Sequence, residues 1–176
     1  MVLGRACTCS GGAPSAKRRA ATASIKSNTP DGAQGALVSM DRDGAILALV
    51  GGTDYVATNY NRATDALRQP GSTIKPFVYA AALDQGMTPA TQVPDQTFCV
   101  WQGANLGEKC FRNFGGGGGG IHTLRWGLEQ SRNLMTVHIA DDTGMDNVIQ
   151  TIDRLGIGSY EPYYSFALGA GDTTVA

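Results

Sequence analysis

A chain of 176 residues, 42% of them hydrophobic and only 16% charged, can bury a core, which excludes the disordered and fibrous classes. Its formal net charge of −1 is unevenly spread: residues 1 to 30 carry Arg5, Lys17, Arg18, Arg19 and Lys26 and no acid, hence +5, which leaves −6 for the rest. A mildly acidic body argues against a nucleic-acid partner, and no stretch approaches the roughly 20 apolar residues that a membrane helix needs.

At the N-terminus Val2 and Leu3 run at once into Gly4 and Arg5, so there is no apolar segment of a signal peptide. Residues 1–34 read as a disordered basic leader, or as sequence foreign to a domain occupying 35–176. Cys7 and Cys9 form only a C-x-C, and no Cys or His pair stands at zinc-ligand spacing, so neither metal nor cofactor is expected. Ala36–Met40 and Ala45–Val50 are apolar runs joined by Asp41-Arg42-Asp43-Gly44, which predicts a β-hairpin with an Asp-Gly turn. The aspartates do not make a calcium loop, because glycine falls at its fourth position and Gly52 stands where a glutamate is needed. The polar stretch 53–67 reads as a connecting loop with room for a short helix.

Arg68 to Pro76 reads R-Q-P-G-S-T-I-K-P. A Pro-Gly turn signal precedes Ser72 and an apolar run follows it, so a helix is predicted to start at or beside Ser72, with Pro76 tolerated in its first turn. Lys75, three residues on, then shares a face with Ser72. A serine hydroxyl becomes a useful nucleophile when a neighbouring base takes its proton, and a lysine serves as that base when burial or nearby positive charge lowers its pKa. Alone, a serine three residues before a lysine is more often ordinary helix surface. The apolar Phe77–Leu83 predicts a buried helix stopped by Gly86.

Residues 87–122 contain Pro89, Pro94 and six glycines at Gly115–Gly120, which predicts extended and loop structure. Six glycines satisfy G-x-G-x-x-G trivially, and neither a preceding strand nor a suitably placed acid supports a dinucleotide site. Cys99 and Cys110 flank a loop, either as two thiols or as a disulfide. Thr123 is a plausible N-cap for a helix through Glu129 with Leu124 and Leu128 facing inward. Two further helices are predicted, Leu134–Asp142 closed by Gly144, and one with Val148, Ile149, Ile152 and Leu155 on one side closed by Gly156. Ser131-Arg132-Asn133 falls between helices, where Ser and Asn commonly act as caps but can also face a cleft. His122 and His138 lack a second ligand or triad partner at suggestive spacing.

S-x-x-K followed by S-x-N is a paired signature of serine acyl-transfer enzymes that bind penicillin. With G-A-L-V-S-M-D-R-D-G-A-I-L-A-L-V-G-G from Gly35, N-R-A-T-D-A-L-R-Q-P-G-S-T-I-K-P-F-V-Y-A-A-A-L from Asn61, T-L-R-W-G-L-E-Q-S-R-N from Thr123 and A-L-G-A-G from Ala167, the sequence resembles the transpeptidase domain of class A, bifunctional penicillin-binding proteins, the 1A group above all. Trp101 and Phe111–Phe114 resemble the family's W-x-P-x-N-Y region without its proline and with an insertion between the pieces, so no substrate contact is carried over from there.

The resemblance implies an incomplete α+β fold of the serine β-lactamase/DD-transpeptidase type, an N-terminal β-hairpin plus a helical subdomain, with the C-terminal sheet strands expected to be missing. It implies acyl transfer between peptidoglycan stem peptides, with Ser72 as nucleophile, Lys75 as its base, Ser131 as proton relay and Asn133 as a substrate or Lys75 contact. β-Lactams are the expected covalent inhibitors. The implied location is the periplasmic face of a bacterial inner membrane, an oxidising compartment that would favour a Cys99–Cys110 disulfide. The family's membrane anchor and glycosyltransferase domain have no counterpart here, nor has its K-T-G motif, whose strand supplies one oxyanion-hole N–H in relatives, and for want of that strand weak or absent activity of this chain alone is expected. The alternative is a non-catalytic fragment with at most weak ligand binding; a D,D-carboxypeptidase or β-lactamase ranks lower, since no glutamate-bearing deacylation loop is recognisable.

Overall fold

The computed structural model describes residues 14–54, 56–101, 104–105 and 107–175, and these fall into two units: the described parts of Met1–Arg68 with Thr173–Ala176, and Gln69–Asp172. In the first unit Leu37–Met40 (β1) pairs antiparallel with Ile46–Val50 (β2), with an irregularity between Ser39 and Met40. Asp41 makes the turn, its Oδ1 accepting from the Asp43 and Ala45 amides at 3.0 Å each, and Gly44 supplies the positive φ of +82°. The stretch from 53 to 67 forms turns, with no helix among its described residues.

Of the two readings of residues 1–34, disorder does not extend over residues 14–28. There Pro14–Asn28 is a helix (α1) that packs against β2, with Ile25 buried. The run A-K-R-R-A-A-T-A is rich in residues that lose little freedom on becoming helical, and burying Ile25 supplies the tertiary contact a short helix needs. Residues 1–13, including Cys7 and Cys9, lie outside the described residues.

The second unit is organised around Lys75–Asp84 (α2), entered through a 3₁₀ turn at Gly71–Ile74. The α2 helix closes at Gly86, whose φ of +94° lets the Met87 amide donate back to the Ala82 carbonyl at 3.0 Å. Against α2 pack Asn133–Thr143 (α4) and Met145–Arg154 (α5). Val78, Met135, Ile139, Val148 and Ile152 are wholly buried between them, each worth roughly 1.5–3 kcal/mol of transfer free energy. The preceding helix, Leu124–Glu129 (α3), is capped by Thr123, whose Oγ1 accepts from the Trp126 amide at 3.3 Å. On α3 the inward residues are Leu124 and Gly127, not Leu128, which is exposed; a Cβ on Gly127 would come within 2.8 Å of Met135 Cε. Leu155 likewise faces solvent, because α5 ends at Arg154 and its inward stripe is Met145, Val148 and Ile152.

Two small antiparallel pairs complete this unit, Gln92–Pro94 (β3) with Ile121–Thr123 (β6), and Cys99–Trp101 (β4) with Glu108–Cys110 (β5). Register places Cys99 opposite Cys110, and the two are joined in a disulfide with a Cα–Cα separation of 4.0 Å. The fold is thus the expected α+β arrangement of a β-hairpin and a helical subdomain, with only two-stranded sheets among the described residues.

Candidate active site

Ser72 does not begin the α-helix itself. It sits in the 3₁₀ turn that leads into it, and the Lys75 amide donates to the Ser72 carbonyl. Side chains three apart eclipse in a 3₁₀ turn, so Ser72 and Lys75 still share a face. Pro76 follows at the start of α2, where its missing N–H costs nothing. The turn is fixed by a close backbone approach: the Gly71 amide donates to the Gly169 carbonyl at 3.3 Å, and Gly169, at φ +80°, leaves no room for a Cβ, which would fall 2.2 Å from the Gly71 oxygen. Ala167-Leu168-Gly169 thereby braces the segment that carries Ser72.

Ser72 is exposed, whereas Lys75 is 1% exposed. Its ammonium donates to three neutral oxygens from the bend between α3 and α4: the Ser131 carbonyl at 2.6 Å, Ser131 Oγ at 3.0 Å and Asn133 Oδ1 at 2.7 Å. No carboxylate is among these acceptors. Burial therefore pushes the Lys75 pKa down to about 8, and the nearby Arg132 guanidinium pushes the same way. Ser131 has φ +51°, the one positive value at a non-glycine among the described residues. Such a conformation costs of order 1–3 kcal/mol and persists only where its surroundings hold it. Here it turns both the carbonyl and the hydroxyl of Ser131 onto Lys75. Ser72, Ser131 and Asn133 line one cavity of about 380 Å³, together with Gly71, Asn113 and Leu168. Lys75 is thus bonded to Ser131 and Asn133, and Ser72 faces the same two residues across the cavity.

The sequence did not mark two residues behind this bend. Asp95, at the end of β3 and 1% exposed, accepts from Arg132 Nε at 2.9 Å and Nη2 at 2.5 Å through one carboxylate oxygen, and from Asn113 Nδ2 at 2.8 Å through the other. Asn113 Oδ1 in turn accepts from the Leu134 amide at 3.1 Å, capping α4 from a distant loop, while Asn133 Nδ2 donates to the Arg112 carbonyl at 3.0 Å. Asn113 lies in the stretch set aside at the sequence level because its proline was missing. Asp95 has no local pattern at all, since its partner Arg132 is 37 residues away.

Both histidines lie apart from the Lys75 contacts. His122 stacks on Trp126 with ring centroids 3.9 Å apart, and His138 Nε2 lies 3.1 Å from the Gln96 carbonyl. Among the described residues, one group of side chains is close enough to hold a metal, Cys99, Glu108 and Cys110, and the disulfide removes both thiolates from it.

The chemistry available is that of a serine beside a buried amine of lowered pKa, with a second hydroxyl within proton-transfer reach of the amine. The family described as penicillin binding protein transpeptidase domain matches residues 35–167. Penicillin-binding protein 1A of Neisseria flavescens is 46% identical over 145 residues, covering 80% of this chain and 18% of that protein. Among solved structures, penicillin-binding protein 1A from Haemophilus influenzae superposes with a TM-score of 0.75 at 37% identity, over 80% of this chain and 21% of that one. The penicillin-binding protein PonA1 from Mycobacterium tuberculosis does so with a TM-score of 0.74 at 27% identity, over 90% and 44%. The chain thus spans under a fifth of the length of the curated relatives it matches, yet the match covers most of its own residues, and it belongs to the penicillin-binding protein transpeptidase domain family.

Proposed function

We propose that this chain carries the acyl-enzyme half of a peptidoglycan D,D-transpeptidase site, with Ser72 as nucleophile, Lys75 as general base, Ser131 as proton relay and Asn133 as the group that orients Lys75. The observation that carries the reading is the Lys75 ammonium, buried without a carboxylate and held by Ser131 and Asn133 one 3₁₀ turn from Ser72.

A pKa near 8 leaves about one Lys75 in ten unprotonated at pH 7, against fewer than about one in a thousand for an ordinary lysine. The neutral amine takes the Ser72 proton as Ser72 Oγ bonds to the carbonyl carbon of the penultimate D-alanine in a D-alanyl-D-alanine stem. The C–N bond of the tetrahedral adduct then breaks, its electron pair stays on the departing D-alanine nitrogen, and the proton passes from Lys75 through Ser131 Oγ to that nitrogen. An amine of a neighbouring stem peptide attacks the Ser72 ester, gives up a proton by the reverse path, and restores the free hydroxyl. A β-lactam acylates Ser72 by the same first step, but its leaving nitrogen stays tethered. Such chemistry belongs on the outer face of a bacterial inner membrane, where stem peptides lie. Among the described residues no helix is long and apolar enough to cross a membrane.

Incubation of the chain with a fluorescent penicillin tests the reading. Covalent label that vanishes in Ser72→Ala while the fold is retained is the expected result. Folded chain that takes no label, or label that survives Ser72→Ala, would reject it.

A further inference from the structure

Of Ser131-Arg132-Asn133, which lead from the α3–α4 bend into α4, the first and last face Lys75 and the middle one points elsewhere. Ser131 and Asn133 supply the oxygens that grip the amine, while Arg132 carries its guanidinium to Asp95 and lies over the Trp126 ring at 5.8 Å. Asp95 is itself fixed in its backbone, its amide donating to the Gly120 carbonyl at 3.1 Å and its carbonyl accepting from the Gly119 amide at 2.6 Å. With Asn113 joining Asp95 to the first turn of α4, the bend is anchored from behind at Arg132 and Leu134. A carboxylate–guanidinium pair with a buried carboxylate and a partly buried guanidinium adds little net stability, because desolvation offsets its attraction, yet removing Arg132 leaves the Asp95 charge stranded. Such a pair suits the holding of a geometry better than the stabilising of a fold.

We propose that Asp95, with Asn113, is a positioning residue for acyl transfer: it holds Arg132 so that Ser131 keeps its left-handed conformation and Ser131 and Asn133 stay on Lys75. This rests on the Ser72–Lys75 reading above. The same contact has an electrostatic side. The charged group that acts on Lys75 is Arg132, while Asp95, just after β3, is paired with Arg132 and acts on Tyr79 of α2. Tyr79 stays neutral because burial raises its pKa to about 12, Arg125 and Glu129 of α3 are exposed, and Phe166-Ala167-Leu168 carries no charge. Arg132 opposes the Lys75 proton, and removing the Asp95 charge is expected to leave the Arg132 charge unscreened.

Three variants of the full chain decide the matter: Asp95→Asn, Arg132→Gln and the double variant, which strands no charge and so guards against simple misfolding. Two readouts are taken, the Lys75 titration midpoint by NMR of lysine labelled at Cε and the second-order rate of acylation by penicillin. Asp95→Asn is expected to move the midpoint below that of the parent and Arg132→Gln above it, with acylation slowed tenfold or more in Asp95→Asn and not restored in the double variant. A merely structural role would instead admit water and raise the midpoint in both single variants. Opposite shifts with slowed acylation support the proposal; midpoints that rise together, or acylation at the parental rate in Asp95→Asn or in the double variant, overturn it. Should the parent take no penicillin at all, the acyl-transfer reading falls, while the titrations still decide whether Asp95 sets the environment of Lys75.

Discussion

The most exposed consequence of a buried, carboxylate-free Lys75 is the pH dependence of acylation. The base is active only when unprotonated, so the second-order rate constant, which reports the free protein, should follow the neutral fraction of Lys75. With a pKa of about 8 that fraction is about one half at pH 8, one tenth at pH 7 and one hundredth at pH 6. Acylation is therefore expected to fall roughly fifty-fold from pH 8 to pH 6 and to level off above pH 9. Burial is the larger cause of the lowered pKa and Arg132 the smaller, so Arg132→Gln should move the midpoint up by about one unit or less, not to the ordinary lysine value. Stopped-flow mixing with a chromogenic or fluorescent penicillin between pH 6 and 10 measures both. A profile flat from pH 6 to pH 8, or a midpoint near that of a free lysine, would refute Lys75 as the base.

The packing makes further predictions. Gly169→Ala places a Cβ against the Gly71 backbone in a left-handed conformation, so it should cost at least about 1–2 kcal/mol and slow penicillin labelling by displacing Ser72; wild-type labelling would show that the approach is not needed. Ile139→Ala, at a wholly buried position between α2 and α4, should lower stability by about 2–5 kcal/mol in denaturant titration, while the Lys75 midpoint stays where it was. Reducing Cys99–Cys110, which closes a loop across 11 residues of sequence, should remove about 3 kcal/mol on the chain-entropy account, read as a drop in Tm that Cys99→Ser reproduces.

What the sequence disclosed was what local chemistry decides. Asp41 and Gly44 specify their turn by a side-chain bond and a positive φ, and Gly86 and Gly156 end their helices in the same left-handed way. The apolar spacing of Val148 and Ile152 marked the inward side of α5. Ser72 and Lys75 were legible because a spacing of three fixes which side chains share a face. What escaped was decided at long range. Leu128 and Leu155 have the spacing of core residues, but Gly127 brings α3 close to Met135, which leaves Leu128 outside, and α5 stops before Leu155. The basic charge of residues 1–30 suggested a solvated leader, whereas one buried Ile25 and an alanine-rich run suffice for α1. The Asp95–Arg132–Asn113 contacts join three separate segments, and no spacing in the chain encodes them. The disulfide was open until the register of β4 and β5 set Cys99 beside Cys110.

Everything turns on which oxygen accepts the acyl group. Peptide mapping by mass spectrometry after reaction with penicillin answers this directly. One adduct per chain, confined to the peptide containing Ser72 and absent from Lys75→Met at pH 7, is the predicted result; an adduct on another residue, or full modification without Lys75, would contradict it.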